Sequence, residues 1–158
     1  MGDIDDLRLN LYNEGIDGAG GVWGQAGWIQ VRDDWTVAEG GVRIDSADIA
    51  TAEDSGMLGD LLLHEMLHGM GFGTTWDYSG LTDGNNFIGA NATEVYGSEV
   101  PLDGSASHWN ENLLGQEIGS ERLDPNEAMN DLTIAALEDM GYETVYEDPT
   151  PEEDWLLG

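Results

Sequence analysis

Leu7, Leu9 and Leu11 alternate with Arg8, Asn10 and Tyr12, the two-residue period of a half-buried strand, so a strand is expected to open the domain. Six glycines follow between residues 14 and 27 (Gly15, Gly18, Gly20, Gly21, Gly24, Gly27) and predict an irregular loop that turns back on itself. The fragment Gly18-Ala19-Gly20 lacks the spacing and helix start of a dinucleotide-binding loop. Residues 28–32 and 41–45 supply two further strand candidates around the polar turn Asp33-Asp34, giving a small mixed or antiparallel sheet.

From Ser55 the period changes. Met57, Leu58, Leu61, Leu62, Met66 and Leu67 recur at helical spacing, with Asp54 or Ser55 as N-cap and Gly69 or Gly71 as the stop. Residues 73–108 lack strong periodicity and are rich in Gly, Asn, Asp and Ser, which predicts a long surface excursion, a feature usually tied to function. A second helix is expected over residues 131–140, capped by Asn130 and stopped by Gly141. The tail, residues 143–158, is acidic, contains Pro149 and Pro151, and should be extended. No repeat or linker divides the chain, so residues 1–158 read as a single α+β domain.

Charge narrows the function. The 158 residues carry 33 Asp and Glu against four Arg and no Lys, a formal net charge of −29. With 40% apolar residues and six Trp, the chain can still build a core, so acidic disorder is not expected. Nucleic acid and anionic membrane surfaces are poor partners, because both need Lys and Arg. A carboxylate-rich chain without lysine suits concentrated salt, where the Debye length falls to roughly 3 Å at 1 M and self-repulsion is screened. No EF-hand pattern is present; Asp83-Gly84-Asn85-Asn86 reads as a solvated turn, and a calcium requirement is left open. Without cysteine there are no disulfides or thiolate ligands. No stretch is long and apolar enough to span a membrane. The acidic start, Met1 to Asp6, is unlike a secretory leader, which leaves a cytoplasmic protein or one whose leader has been removed.

The chemistry lies in His64-Glu65-Met66-Leu67-His68. Helical positions four apart differ by only about 40° in direction and about 6 Å along the axis, so both imidazoles can bind one ion. Glu65 is turned about 100° from His64 and can reach a water beside the ion, where a carboxylate acts as general base. Neutral imidazole is a good zinc ligand, and a catalytic zinc takes three protein ligands. The compact continuation with a third His three residues beyond Gly71 fails, because that position is Thr74. His108, in Ser107-His108-Trp109, is the remaining histidine and the favoured third ligand; Asp77 is its rival, and Glu94, Glu99, Glu111 and Glu117 are the choices for a glutamate-ligand peptidase.

Five stretches, taken together, resemble the leishmanolysin family of metzincin zinc peptidases, especially its short prokaryotic members. They are GAGGVWGQAG (Gly18 to Gly27), IDSAD (Ile44 to Asp48), LLLHEMLHGMGFG (Leu61 to Gly73), Ser107-His108-Trp109 and LTIAALEDMGY (Leu132 to Tyr142), in order along most of the chain. The resemblance implies a metzincin-like fold, with a twisted mixed sheet, an active-site helix and a C-terminal helix. It also implies zinc held by His64, His68 and His108, Glu65 as general base, a peptide or protein substrate and a secreted or extracellular enzyme; a monomer is expected. Gly119 stands where the family carries the methionine beneath the metal, with Met129 ten residues on as a possible replacement. The expected substrate strand is residues 41–45, and Tyr96, Tyr142 or Tyr146 are candidate oxyanion donors. The competing reading is a zinc-stabilised binding module or inactive homologue, in which Gly119 marks a relaxed site.

Overall fold

The computed structural model describes residues 6–125 and 127–144. Its first layer is a mixed sheet of β1 (Arg8–Glu14), β2 (Gly24–Val31) and β3 (Val37–Asp45) in the order β1-β3-β2. β1 runs parallel to β3, and β2 antiparallel to it. Val42 and Ile44 of β3 are buried with Ala52 and Leu61 of the helices below. Leu11 is 62% exposed although the alternation placed it inward, because the helical layer packs beneath β2 and β3 and leaves the end of β1 uncovered.

Two helices follow where one was expected. α1 (Ile49–Asp54) ends at Ser55, Gly56 takes a positive φ of 75°, and α2 (Leu58–Gly69) starts afresh with Met57 at its N-cap. Ser55 is therefore the C-cap of α1, its hydroxyl donating to the Ala52 carbonyl, rather than the N-cap of the longer helix. α2 ends as predicted: Gly71, at φ 107°, turns the chain, and its N–H donates to the His68 carbonyl. α2 can approach the sheet closely because glycines face each other, and any side chain on Gly40 would collide with the Gly69 carbonyl.

Residues 73–108 are no surface excursion. They contain β4 (Thr82–Asp83), β5 (Asn86–Phe87), α3 (Ala90–Tyr96) and β6 (Val100–Pro101), the three strands forming a second small sheet. α4 (Glu111–Leu114) and α5 (Asp131–Asp139) complete the lower layer. Polar composition hid the anchors Phe87, Ala92, Val100 and Leu102, all buried. Asp139 at the end of α5 accepts the Asn91 and Ala92 N–H groups at 2.9 Å each, satisfying orphan donors at the start of α3. The core of this layer is aromatic: Phe72, Trp76, Phe87 and Trp109 meet with ring centroids 4.5 to 5.5 Å apart, mostly edge to face. Among the described residues no helix is long and apolar enough to cross a membrane. The acidic tail beyond Thr144, with Tyr146, lies outside the described residues.

Candidate metal centre

α2 presents His64 and His68 on its inner face, both buried. His108 arrives on a tight loop built around Asp103, whose Oδ1 accepts the N–H groups of Ser105, Ser107 and His108 at 3.2, 3.1 and 3.3 Å. Gly73, just past α2, lets that loop close on the helix, since a side chain there would collide with the Ser107 carbonyl. The result brings His68 Nε2 to 3.1 Å from His64 Nε2 and 3.0 Å from His108 Nε2. Among the described residues this is the one gathering of three or more His, Asp or Glu side chains with ligand atoms within 4.8 Å.

Protons decide what the cluster can do. His64 Nδ1 donates to the Ile118 carbonyl at 2.7 Å and His68 Nδ1 to the Phe72 carbonyl at 2.9 Å, since a carbonyl can only accept. His108 Nδ1 faces Asp103 Oδ2 at 3.1 Å, a carboxylate that serves the same purpose. Each Nδ1 thus holds the proton, and three Nε2 lone pairs converge. Burial pushes His64 down to about 4, and His108 beside it adds to the effect. Burial, then the neighbouring imidazoles, push His68 down to about 3. Neutral lone pairs at 3.0 to 3.1 Å repel one another unless a cation lies between them. The donor set therefore fits a metal ion, with outer partners that fix each ring.

Glu65, also buried, points from α2 into the same space, and burial pushes its carboxyl up to about 7. An open cleft of about 700 Å³ runs over these residues, lined by Gly24 to Ile29 of β2, Tyr12, Thr74, Ser107 and Glu121 as well as the three histidines. The strand flanking the cleft is β2. Residues 41–45 belong to β3, which is paired on both sides and cannot accept a further strand; β1 and β2 are the edges, and β2 is the edge strand that lines the cleft from Gly24 to Ile29.

The floor explains Gly119. A Cβ there would stand 2.6 Å from the Phe72 ring and 3.0 Å from Trp109, so aromatic side chains occupy the space and the backbone must pass close beneath them. Met129 packs on the aromatic cluster and lines a separate cavity with Val95, Tyr96 and Leu132.

The other candidates lie elsewhere. Asp77 is exposed and accepts from Thr82; Glu94 and Glu99 are exposed. Glu111 accepts the Arg122 N–H, and Glu117 is buried against Thr133. Tyr142 donates to the Met70 carbonyl at 2.6 Å, and burial pushes its hydroxyl up to about 12, while Tyr96 lines the separate cavity. The tyrosine in the metal cleft is Tyr12. Asp45 and Asp48 turn their carboxylates to loop N–H groups, Asp45 accepting from Ile16, Asp17, Gly18 and Ala47 and Asp48 from Gly20. These bonds hold Asp45 below the usual carboxylate range. The IDSAD stretch thus pins the glycine loop beside the start of α1.

Sequence reasoning missed Asp103, the Ile118 and Phe72 carbonyls, Gly24 and Tyr12. Only Asp103, five residues before His108, carries a side-chain signal that could have been read. No protein-family model matches the chain, and no curated protein matches it.

Proposed function

We propose that the chain is a zinc-dependent endopeptidase of metzincin-like build, similar to the leishmanolysin family. The observation that carries this reading is the convergence of three Nε2 lone pairs beside a buried carboxylate in one open cleft. Zinc is the ion best suited to three neutral imidazoles with the remaining position open. The Nε2 separations of 3.0 and 3.1 Å approach the about 3.3 Å expected for nitrogens about 2.0 Å from one tetrahedral ion. When bound by His64, His68 and His108, zinc supplies Lewis acidity, polarising the scissile carbonyl and acidifying water.

The chain's own groups do the rest. β2 offers the backbone N–H and C=O groups of its free edge to an extended peptide. Glu65, poised near neutrality by burial, takes the proton of the attacking water and returns it to the leaving amine. Ile118, Phe72 and Asp103 keep the three imidazoles in the tautomer that presents Nε2. Tyr12 lines the cleft but has no bond that selects a role for it.

Metal analysis and hydrolysis of casein in molar salt test the reading. About one zinc per chain is expected, with cleavage abolished by a chelator and restored by zinc. Zinc retained without turnover would instead support a zinc-stabilised binding module. Molar salt matters because a chain of net charge −29 repels itself in dilute buffer.

A further inference from the structure

The two segments that complete the metal centre from outside α2 are joined by one hydroxyl. Thr133, wholly buried on α5, donates from Oγ1 to Glu117 Oε2 at 2.7 Å and accepts the Trp109 indole N–H at 3.0 Å. Glu117 immediately precedes Ile118, whose carbonyl orients His64. Trp109 immediately follows His108. The segments also touch directly, the Trp109 N–H donating to the Gly119 carbonyl at 2.9 Å, and Ile118 is held from its other side by the Ala128 carbonyl at 3.0 Å. Backbone pairing fixes their separation and the aromatic rings around Trp109 hold the indole, but without Thr133 the indole N–H and the Glu117 carboxylate are both buried without this partner.

We propose that Thr133 is a positioning residue for the metal centre: its hydroxyl locks the strip carrying the Ile118 carbonyl to the ring beside His108, so that helix α5 sets the relative placement of His64 and His108. The proposal rests on the metal centre read above but not on peptide hydrolysis. Valine in place of Thr133 keeps the shape and deletes the hydroxyl, leaving the indole N–H and the Glu117 carboxylate without this partner.

The test is zinc affinity, measured by chelator competition on full-length Thr133→Val, at a temperature where near-ultraviolet circular dichroism shows the metal-free form folded. Affinity should fall about 10-fold, the low end of the range found when outer partners of metal ligands are removed, because Thr133 acts one residue away from those partners. The visible spectrum of the cobalt-loaded variant should change, and Thr133→Ser should restore both. Ala52→Gly, buried in α1 away from this network, supplies the stability control: it should lower thermal stability while zinc affinity and the cobalt spectrum stay as in wild type. Unchanged affinity and spectrum in Thr133→Val, or a loss that Ala52→Gly reproduces, overturns the proposal. Should Thr133→Val not fold, Trp109→Phe keeps the aromatic core, drops the indole N–H and is held to the same outcomes. A wild type that binds no zinc removes the metal centre and this proposal with it, whereas zinc bound without hydrolysis leaves the proposal standing and defeats only the peptidase reading.

Discussion

Gly24 on β2 lies directly against the carboxylate of Glu65: a Cβ built on Gly24 would stand 2.7 Å from both Cγ and Oε1 of that side chain. A glycine at such a point lets another part of the chain come close. Here the approach is to the residue assigned to proton transfer. Because the obstacle is the far part of a flexible side chain, Gly24→Ala should displace the carboxylate rather than unfold the sheet. Zinc content should be unchanged and kcat should fall about 10²-fold, the cost of misplacing a catalytic group by about 1 Å. Steady-state kinetics on the zinc-loaded variant checks this, and wild-type kcat would show that the contact is incidental.

Placing methionine at Gly119 should harm the protein. The Phe72 ring would lie 2.6 Å from any Cβ there, so Gly119→Met overpacks the floor and shifts the Ile118 carbonyl that holds His64. Overpacking of this kind costs about 1 to 3 kcal/mol. A denaturant melt should show that loss, with weaker zinc binding beside it. A variant as stable as wild type would return Gly119 to the status of a relaxed site.

Ligand assignments separate by metal affinity. His108→Ala should lower zinc affinity by orders of magnitude and Asp77→Ala should leave it unchanged, since Asp77 is exposed and engaged with Thr82. Asp103→Asn should fall between them, about 10- to 100-fold weaker, because the carboxylate that faces His108 Nδ1 and gathers its loop is lost. Chelator competition measures all three. Unchanged affinity in His108→Ala would sink the three-histidine centre.

Acid should destabilise the metal-free protein. His64 and His68 titrate at about 4 and about 3 in the fold against 6.5 when exposed, so between these limits the unfolded chain binds more protons and stability falls as pH drops below 6.5. Glu65 has the opposite sign. With its carboxyl raised from 4.5 to about 7, the folded state binds the extra proton, and stability falls as pH rises through that window. Glu127, which burial also raises to about 7, adds to Glu65, so the two glutamates offset the two histidines between 6.5 and 4.5, and the net loss on acidification sets in below about 4.5. Thermal melts of metal-free wild type and Glu65→Gln should therefore diverge: the variant gains stability relative to wild type above pH 7, where the wild-type carboxylate is buried and ionised and the amide is uncharged, and loses that advantage below pH 4.5. Parallel curves would show that Glu65 is not desolvated.

The part of the site carried by one helix was legible in the sequence. His64, Glu65 and His68 follow from helical geometry within five residues, and Gly71 from the turn that must end the helix. His108 could be reached because the chain has only one further histidine. The flanking strand could not, because register and edge status depend on which strands pair: residues 41–45 and β2 both read as strands, yet β3 took the centre. Backbone partners such as the Ile118 and Phe72 carbonyls have no side-chain signature. The lower layer was read as irregular because its two- to seven-residue elements are too short to show a period, and their apolar anchors are spaced by tertiary contacts. Gly119 stood out as a departure from a pattern; its reason, the Phe72 ring, is visible only in three dimensions.

The central claim is that three histidines hold a zinc ion and Glu65 moves the proton. Glu65→Gln tests it most directly, since the amide fills the same space and cannot accept a proton. Metal analysis paired with casein hydrolysis in molar salt should find about one zinc per chain in both proteins and activity reduced by about 10²- to 10⁴-fold in the variant. A variant that hydrolyses casein at the wild-type rate, or a wild type that retains no zinc, would contradict the account.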